Sequence, residues 1–154
     1  MPITQSSKDR RPDFPCLEGR VELAEDSLEV GCRGLGHLHL RNVGADLIEF
    51  QTDQPLLANV LDPATLESVA RYSGPVAGMG RMIHLEPGGE VTIAVLIGTS
   101  STSNGEVIEL SPGPYVIRVD VPIYELRPDG DGYELSHLTM PLSDLVLTEK
   151  RIGG

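Results

Sequence analysis

A pair of histidines, His37 and His39, has the spacing in this chain that best suits metal chemistry. On a β-strand, side chains two residues apart share a face and lie about 7 Å apart. Transition-metal sites often begin in this way, but they add a third and a fourth ligand from elsewhere in the fold. Only His84 and His137 remain as further imidazoles. We therefore expect His37 and His39 to be solvent-facing strand residues with no metal or other cofactor; a metal-dependent small-molecule site is the alternative.

Two other polar motifs have the residue types of a calcium loop or of a hydrolase nucleophile, but they do not have the spacing that such a site needs. Residues 129–134 read Asp-Gly-Asp-Gly-Tyr-Glu, whereas an EF-type calcium loop needs more oxygen ligands at alternate positions and a closing Glu further along. This segment is predicted to be the tip of a hairpin. Ser73, Ser100 and Ser101 lie in Gly- or Ser-rich stretches, but none is part of a Gly-x-Ser-x-Gly elbow. The motifs therefore indicate a protein that is not an enzyme.

The segment from Ser73 to Arg81 is the strongest candidate for contact with a partner protein. Its first eight residues include three glycines and a proline, which excludes a helix or an inner strand, yet they also include Val76 and Met79. Tyr72 and Arg81 flank it, and both residue types are enriched at interface hot spots. The predicted partner-binding residues are Tyr72, Ser73, Gly74, Pro75, Val76, Met79 and Arg81. An ordinary crossover whose Val76 and Met79 cover the core is the alternative.

The charge of the chain narrows the class of partner. Twelve Lys and Arg against 23 Asp and Glu give a formal net charge of −11. Such a surface repels phosphate backbones and anionic lipids, which are normally bound by clustered Lys and Arg. Nucleic acid and membranes are therefore not expected as partners, and another protein, basic in its overall charge, is the expected one.

The chain is expected to be cytoplasmic. No apolar run reaches the length of a transmembrane helix, and the first eight residues lack the charged-then-apolar form of a secretory signal. Cys16 and Cys32 are accordingly expected to be free thiols, since two cysteines in 154 residues do not make a disulfide framework.

The elements around these residues are organised by a short phrase, Leu-x-Pro-Gly, which occurs at residues 85–88 and again at 110–113. Each copy precedes an apolar strand. The first strand, residues 90–97, is apolar on nearly both faces, as in a central strand. In the second, residues 115–121, apolar and polar residues alternate, as in a half-buried strand. We predict that the two are neighbouring strands of a β-sandwich.

The whole chain predicts about nine to eleven short strands and no long helix. Further strands are predicted at residues 20–32 with a break at 25–27, 35–41, 47–50, 56–61, 68–72, 124–126, 133–135 and 144–148. Turn residues at 42–46 and 62–65 predict hairpins between the strands on either side, and residues 99–105 predict a polar loop. The fold class predicted is all-β: an immunoglobulin-like antiparallel β-sandwich with Greek-key connections and an extra C-terminal hairpin and strand.

One domain is expected from a chain of this length. Residues 1–16 are polar and aperiodic, which predicts a mobile N-terminal segment. The single β-sandwich domain is predicted over residues 17–150. Residues 151–154, which end in two glycines, are predicted to be a flexible tail.

Six features carry a resemblance to a known family. They are a strand ending in Asn (Leu38 to Asn42), a strand with Phe (Ile48 to Phe50), a Val-Leu-Asp strand (Val60 to Asp62), Tyr72-Ser73, a Leu-x-Pro-Gly entry (Leu85 to Glu90) and a Pro-Gly-x-Tyr entry (Pro112 to Tyr115). In order and spacing, over about Leu38 to Val121, the chain resembles the bacterial intracellular proteinase inhibitor family, a small immunoglobulin-like β-sandwich. The resemblance implies that fold and implies inhibition of a proteinase.

These observations together predict a non-enzymatic protein-binding module that acts through loops at one end of the sandwich, as a proteinase inhibitor or as an assembly accessory protein. A metal-dependent small-molecule binding protein or enzyme with a site at His37 and His39 is the alternative. A further alternative is an oligomeric structural domain, in which an open edge strand pairs with its symmetry mate.

Overall fold

The computed structural model describes residues 16–72, 78–103, 106–126 and 129–149. These residues form fifteen strands and no helix, so none of them forms a helix long and apolar enough to cross a membrane. The strands are β1 (Leu17–Leu23), β2 (Ser27–Glu29), β3 (Gly34–Asn42), β4 (Ile48–Gln54), β5 (Leu56–Leu57), β6 (Asn59–Leu61), β7 (Ser68–Arg71), β8 (Met79–Leu85), β9 (Glu90–Ile97), β10 (Ser100–Ser103), β11 (Glu106–Glu109), β12 (Gly113–Arg118), β13 (Asp120–Leu126), β14 (Tyr133–Thr139) and β15 (Ser143–Thr148).

The strands are arranged in three larger sheets and a ribbon. The first sheet has the order β1-β3-β9-β5, the second β2-β15-β12-β6-β7, and the third β14-β13-β4-β8, while β10 and β11 form a two-stranded ribbon. Pairing is antiparallel except between β5 and β9 and between β2 and β15. The predicted all-β class with antiparallel pairing is therefore confirmed.

One hydrophobic core joins all three larger sheets. Alternate residues of each central strand point into it, as the period of two requires. In the first sheet Leu38 and Ile93 are fully buried, in the second Ile117, and in the third Ile123. Because strands of different sheets contribute to the same cluster, the sheets are packed against one another through their inner faces.

At two places the chain crosses from one sheet to another through a single residue. At Val119 the chain leaves the second sheet at the end of β12 and enters the third as β13. At Ala58 it leaves the first sheet at the end of β5 and enters the second as β6. Both residues are completely buried, and Ala58 N donates to Leu96 O at 3.0 Å. The single strands predicted at 56–61 and 115–121 are therefore each divided in two.

The prediction that the two Leu-x-Pro-Gly strands are neighbours is wrong. The strand after the first phrase, β9, belongs to the first sheet, whereas β12 belongs to the second. The phrase marks the start of a strand, but its partners are decided by long-range register. The prediction that residues 90–97 form a central strand is confirmed, since β9 lies between β3 and β5.

The turn at residues 42–46 does not form the predicted hairpin, because β3 lies in the first sheet and β4 in the third. The fully buried Asn42 explains this change of sheet. Its Nδ2 donates to the carbonyls of Asp46 (2.7 Å) and Leu85 (2.9 Å), and its Oδ1 accepts from Gly44 N at 3.0 Å. The amide side chain thus connects the turn to β8 instead of allowing the chain to fold back on β3.

Two of the other predicted turns are confirmed as hairpins, and one predicted loop is a strand. The hairpin at 62–65 is confirmed: β6 and β7 pair, and Asp62 Oδ1 accepts from Ala64 N at 2.8 Å, as an Asx turn requires. The C-terminal hairpin of β13 and β14 is also confirmed. Residues 100–103 are not loop but strand β10, because their Ser and Thr backbone pairs with β11 and polar composition does not exclude a strand.

Some predictions fall outside the described residues. They concern the mobile segment up to residue 15, the loop residues 73–77 and the tail at 151–154. Cys16 and Cys32 are free thiols in this structure, and both are exposed.

Candidate protein-binding groove

A groove of about 550 Å³ opens where the second and third sheets meet. Its walls come from both strand crossings: Leu57 and Asn59 lie on either side of Ala58, and Arg118 and Asp120 lie on either side of Val119. The groove is lined by Asp53, Pro55, Leu56, Leu57, Asn59, Arg71, Gly78, Arg118, Asp120, Pro122, Tyr124, Leu135 and His137. The same crossings that fix the packing of the sheets therefore fix the shape of this surface.

The groove offers apolar contact area to a ligand. Pro55, Leu57 and Pro122 are half-buried, and Leu135 is 39% exposed. Pro122 is paired with His137 across β13 and β14, so the apolar wall is part of a regular sheet. A mixture of apolar walls and a few placed polar groups is typical of binding sites.

A row of polar side chains crosses the second sheet at one end of the groove. Asn59 of β6 is paired with Arg118 of β12 on one side and with Arg71 of β7 on the other. Cross-strand partners share a face, so the two arginines flank the amide with their backbones about 10 Å apart. Arg118 Nε donates to Asp120 Oδ2 at 3.1 Å, and Asp120 Oδ1 accepts from Thr139 Oγ1 at 2.8 Å.

The side chain of Arg71, unlike that of Arg118, makes no hydrogen bond or ion pair with any other described residue. Its side chain is exposed at the end of β7. Arg118 and Asp120 neutralise each other, so Arg71 is the uncompensated charge of this row. An unpaired guanidinium beside an amide is suited to a carboxylate.

A second polar pair lies on the third sheet. Tyr124 Oη donates to Asp53 Oδ2 at 3.0 Å. Burial of the phenol raises its pKa above the usual value, and the hydrogen bond to Asp53 and the charge of that carboxylate raise it further. Tyr124 therefore remains a neutral donor, and one oxygen of Asp53 is already used.

The predicted partner-binding segment, Ser73 to Arg81 with the flanking Tyr72, adjoins this groove. Arg71 and Gly78, which lie on either side of residues 72–77, both line it. The first end is anchored at Tyr72, because the Arg33 guanidinium carbon lies 5.3 Å from the centroid of the Tyr72 ring. Ser73, Gly74, Pro75 and Val76 lie outside the described residues.

The two remaining predicted contact residues lie in strand β8, not in a loop. Met79 is paired with Gln54 and is 75% exposed, so its side chain is accessible to a partner. Arg81 Nη1 donates to Gln54 Oε1 at 2.6 Å and to Thr92 O at 3.0 Å. Arg81 is therefore engaged within the protein. Because β8 is the edge of the third sheet, Gly80 is tolerated in it.

The histidine pair lies on the open face of the first sheet. His37 and His39 share that face as predicted, with ring centroids 6.4 Å apart. His39 Nε2 lies 3.4 Å from Glu22 Oε2, and His39 Nδ1 lies 3.1 Å from Thr92 Oγ1. No three His, Cys, Asp or Glu side chains within the described ranges converge as a metal site would require.

The acid-histidine-hydroxyl order of Glu22, His39 and Thr92 is that of a nucleophilic triad. A shallow depression of about 390 Å³ lies over His39 and Thr92. Glu22 also accepts from Arg20 Nη1 at 3.1 Å, and its side chain is 59% exposed. These contacts form an ordinary polar network on a sheet surface, and they supply no enclosed space for a reacting group.

The acidic segment at 129–134 contains a tight turn that is stabilised by its own side chain. Asp129 Oδ1 accepts from Asp131 N at 2.9 Å, and Gly130 and Gly132 have positive φ angles of 75° and 93°. These are the features of a hairpin tip.

Comparisons with known proteins give a fold likeness only. No family model matches the chain, and no curated protein matches it. Among solved structures it is similar to an alkylpurine DNA glycosylase from Pseudomonas fluorescens bound to DNA containing an abasic site analog, with 10% identity and a TM-score of 0.48, covering 86% of this chain and 30% of that one. A β-glucosidase from Erythrobacter marinus has 17% identity and a TM-score of 0.47, with 86% and 15% coverage. The sporulation control protein Spo0M of Bacillus subtilis has 13% identity and a TM-score of 0.42, with 88% and 50% coverage. The chain thus spans half or less of each of these proteins.

Proposed function

We propose that this chain is a non-enzymatic protein-binding module, an immunoglobulin-like antiparallel β-sandwich with Greek-key connections that binds another protein at the groove and the adjoining segment 72–79. The observation that carries the proposal is that Arg71, just before that segment, and Gly78, within it, both line the groove. This supports a single binding surface made of the groove and that segment, because loops carry binding residues without disturbing the core.

The occupant we propose is a segment of the partner that places an apolar side chain against Pro55, Leu57 and Pro122 and a carboxylate on Arg71. Charge complementarity supports this assignment. Among the charged residues of the row, Arg118 is neutralised by Asp120, whereas the guanidinium of Arg71 forms no ion pair with a described residue. A guanidinium binds a carboxylate through charge-assisted hydrogen bonds.

The groove is also preorganised for binding. Arg118, Asp120 and Thr139 are connected by hydrogen bonds, and Tyr124 is connected to Asp53. Side chains that are fixed before binding lose little conformational entropy when the complex forms. Long-range attraction, set by the net charge of −11, favours a partner that is basic overall and adds to its association rate at low salt.

The test uses a displayed random peptide library selected on the immobilised full chain. Enriched peptides are expected to combine Asp or Glu with an adjacent apolar residue. Arg71→Glu is expected to weaken the selected peptides at least about tenfold, the loss of one charge-assisted contact and the gain of repulsion. Arg20→Glu makes the same charge change on the first sheet and serves as the matched control, with little expected loss.

Peptides that bind equally well to wild type and Arg71→Glu would contradict the groove assignment. Met79→Asp tests the adjoining segment, since it places a charge at a side chain that is 75% exposed and needed only for contact. The narrower function of proteinase inhibitor predicts stoichiometric loss of activity in at least one member of a panel of serine, cysteine and metallo-proteinases. An assembly accessory protein would leave that whole panel active.

A further inference from the structure

The groove has a carboxylate at one end and a guanidinium at the other. Asp53, Pro55, Leu57 and Asn59 are alternate residues of one stretch of chain, and all four line the groove. Asn59 is paired in turn with Arg71 across β6 and β7. Two apolar residues of the chain, Pro55 and Leu57, therefore separate the carboxylate of Asp53 from the row that ends in the Arg71 guanidinium.

The carboxylate of Asp53 is available to a ligand. Its Oδ2 accepts from Tyr124 Oη at 3.0 Å, whereas its Oδ1 makes no hydrogen bond or ion pair with another described residue, and Asp53 is exposed. Tyr124 also lines the groove, and an aromatic ring attracts a nearby cation. A carboxylate that is held by a neutral donor and keeps one oxygen open is suited to a lysine ammonium or an arginine guanidinium.

The other carboxylate and guanidinium of the groove neutralise each other. Arg118 Nε lies 3.1 Å from Asp120 Oδ2. Among the described carboxylates and guanidiniums that line the groove, Asp53 and Arg71 therefore keep charges that no ion pair compensates. The groove has one open acceptor for a cation and one open donor for an anion.

The register gives the spacing of these two charges. The pairing of β13 with β4, extended by two residues, places Asp53 opposite Pro122. The pairing of β12 with β6 places Asn59 opposite Arg118, and Arg71 lies one strand further in the same row. Pro122 and Arg118 are four residues apart along the chain, which is about 13 Å in an extended backbone. The charges of Asp53 and Arg71 are thus separated by about the length of four extended residues.

This spacing defines the sequence of a matching segment. In an extended chain, residues i, i+2 and i+4 share one face, and the first and last lie about 13 Å apart. We propose that the groove binds an extended segment of the partner protein with the pattern cation-x-apolar-x-acid. The cation binds Asp53, the acid binds Arg71, and the middle side chain packs between them on Pro55 and Leu57.

The inference rests on the proposed function and adds Asp53 to it as a determinant of specificity. The acid on Arg71 and the apolar side chain next to it on the same face belong to the binding mode already described. The cation on Asp53 is new, and it fixes which end of the groove receives which end of the segment. A second copy of the chain is a poorer occupant, because two molecules that each carry a net charge of −11 repel.

The test uses two pentapeptides with acetyl and amide caps, titrated into the full chain and followed by amide NMR shifts. Lys-Ser-Leu-Ser-Asp has the proposed pattern. Lys-Ser-Leu-Asp-Ser has the same composition and charge, but its acid lies on the opposite face of an extended chain. The first peptide is expected to bind at least about fivefold more tightly than the second.

Asp53→Asn tests the cation contact. The variant removes the charge but keeps an oxygen that can accept from Tyr124 Oη. It should weaken Lys-Ser-Leu-Ser-Asp at least about fivefold and leave Gln-Ser-Leu-Ser-Asp, which has no cation, within about twofold. Glu49→Gln makes the same charge change on β4 outside the groove, where Glu49 lies 3.5 Å from His84, and should change neither affinity.

Arg71→Glu separates this inference from the proposed function. The variant should weaken both peptides that end in Asp, because both place a carboxylate on the guanidinium. If it does so while Asp53→Asn affects the Lys and Gln peptides equally, the groove function stands and the proposed pattern is wrong. If Arg71→Glu changes neither affinity, the proposed function fails and the pattern fails with it.

Three further results would overturn the pattern alone or assign it elsewhere. The first is equal binding of the two isomeric peptides. The second is the absence of shifts with Lys-Ser-Leu-Ser-Asp up to millimolar concentration. The third is concentration-dependent self-association of the wild type that both Asp53→Asn and Arg71→Glu abolish, which would assign the two charges to a second copy.

Discussion

The backbone of Gly98 lies directly against the backbone of Tyr72. A Cβ atom on Gly98 would stand 2.6 Å from Tyr72 Cα and 2.8 Å from Tyr72 N. Real Cβ atoms do not approach backbone this closely, so only glycine fits between β9 and β10. This contact fixes the first end of the segment that borders the groove, together with the Arg33 guanidinium over the Tyr72 ring.

Gly98→Ala is therefore expected to push Tyr72 away from β9 and to displace Arg71. Overpacking of this kind costs about 1 to 3 kcal/mol, which thermal unfolding would detect as a lower Tm. Gly80→Ala is the matched control, because its nearest atom is Gln51 Nε2, the end of a flexible side chain. Equal stability losses in the two variants would show that the Gly98 contact is not limiting.

Thr52→Val is expected to stabilise the protein. The Thr52 side chain is fully buried, and its Oγ1 has no hydrogen-bond partner among the described residues. Replacing an unsatisfied buried hydroxyl by a methyl should raise the free energy of unfolding by about 1 kcal/mol, measured by urea denaturation.

Thr99→Val is the control for that substitution. Thr99 is also buried, but its Oγ1 donates to Cys32 O at 2.7 Å. The same change should therefore lower stability by about 1 kcal/mol. A loss of stability in both variants would mean that Thr52 has a hydrogen bond in solution.

Tyr124 is expected to titrate above the usual range of a tyrosine. Its pKa is raised above 10.0 by burial first and then by the hydrogen bond to Asp53 and the charge of that carboxylate. The stabilisation from neutral Tyr124 is thus complete below pH 10 and is lost as the pH rises through the higher pKa of the folded state. Relative to Tyr124→Phe, the wild type should lose stability above pH 10.

Absorbance at 295 nm measures this titration directly. The component with the raised pKa should disappear in Tyr124→Phe. Tyr133→Phe, which removes a ring that is 57% exposed, should leave that component unchanged. The reverse result would place the raised pKa on another tyrosine.

Asn42→Asp is expected to be strongly destabilising although it preserves shape. The substitution replaces the donor that bonds Asp46 O and Leu85 O by an acceptor in a fully buried position. A loss of about 3 kcal/mol or more is expected in urea denaturation. Asn59→Asp is the control, because Asn59 is half-buried between Arg118 and Arg71 and its oxygen already accepts from Ser68 Oγ.

Local patterns in the sequence predicted the strands and the direction of their side chains. Ile117, Val119, Val121 and Ile123 occupy alternate positions, and all four are fully buried. The sheet change at Val119 was not predictable, because alternation continues unbroken across it. Period and turn chemistry are local properties, whereas the choice of partner strand depends on distant residues.

The sequence predicted the segment beside the groove but not the strand residues that line it. Gly78 belongs to the segment that the Gly and Pro pattern selected, and Arg71 lies just before it. Asp53, Asn59 and Arg118 belong to separate strands. Nothing in their spacing brings them together. Their proximity follows from the register of β6 with β12 and β7, which is set by packing of the whole core.

The crossings at Ala58 and Val119 have a mechanical consequence. Because each crossing is a single buried residue, the two strands that it connects have little freedom to move apart. A molecule seated between Leu57, Asn59, Arg118 and Asp120 would rest on both of these joints at once. Its occupancy would therefore slow hydrogen exchange across the entire core, far beyond the atoms it touches.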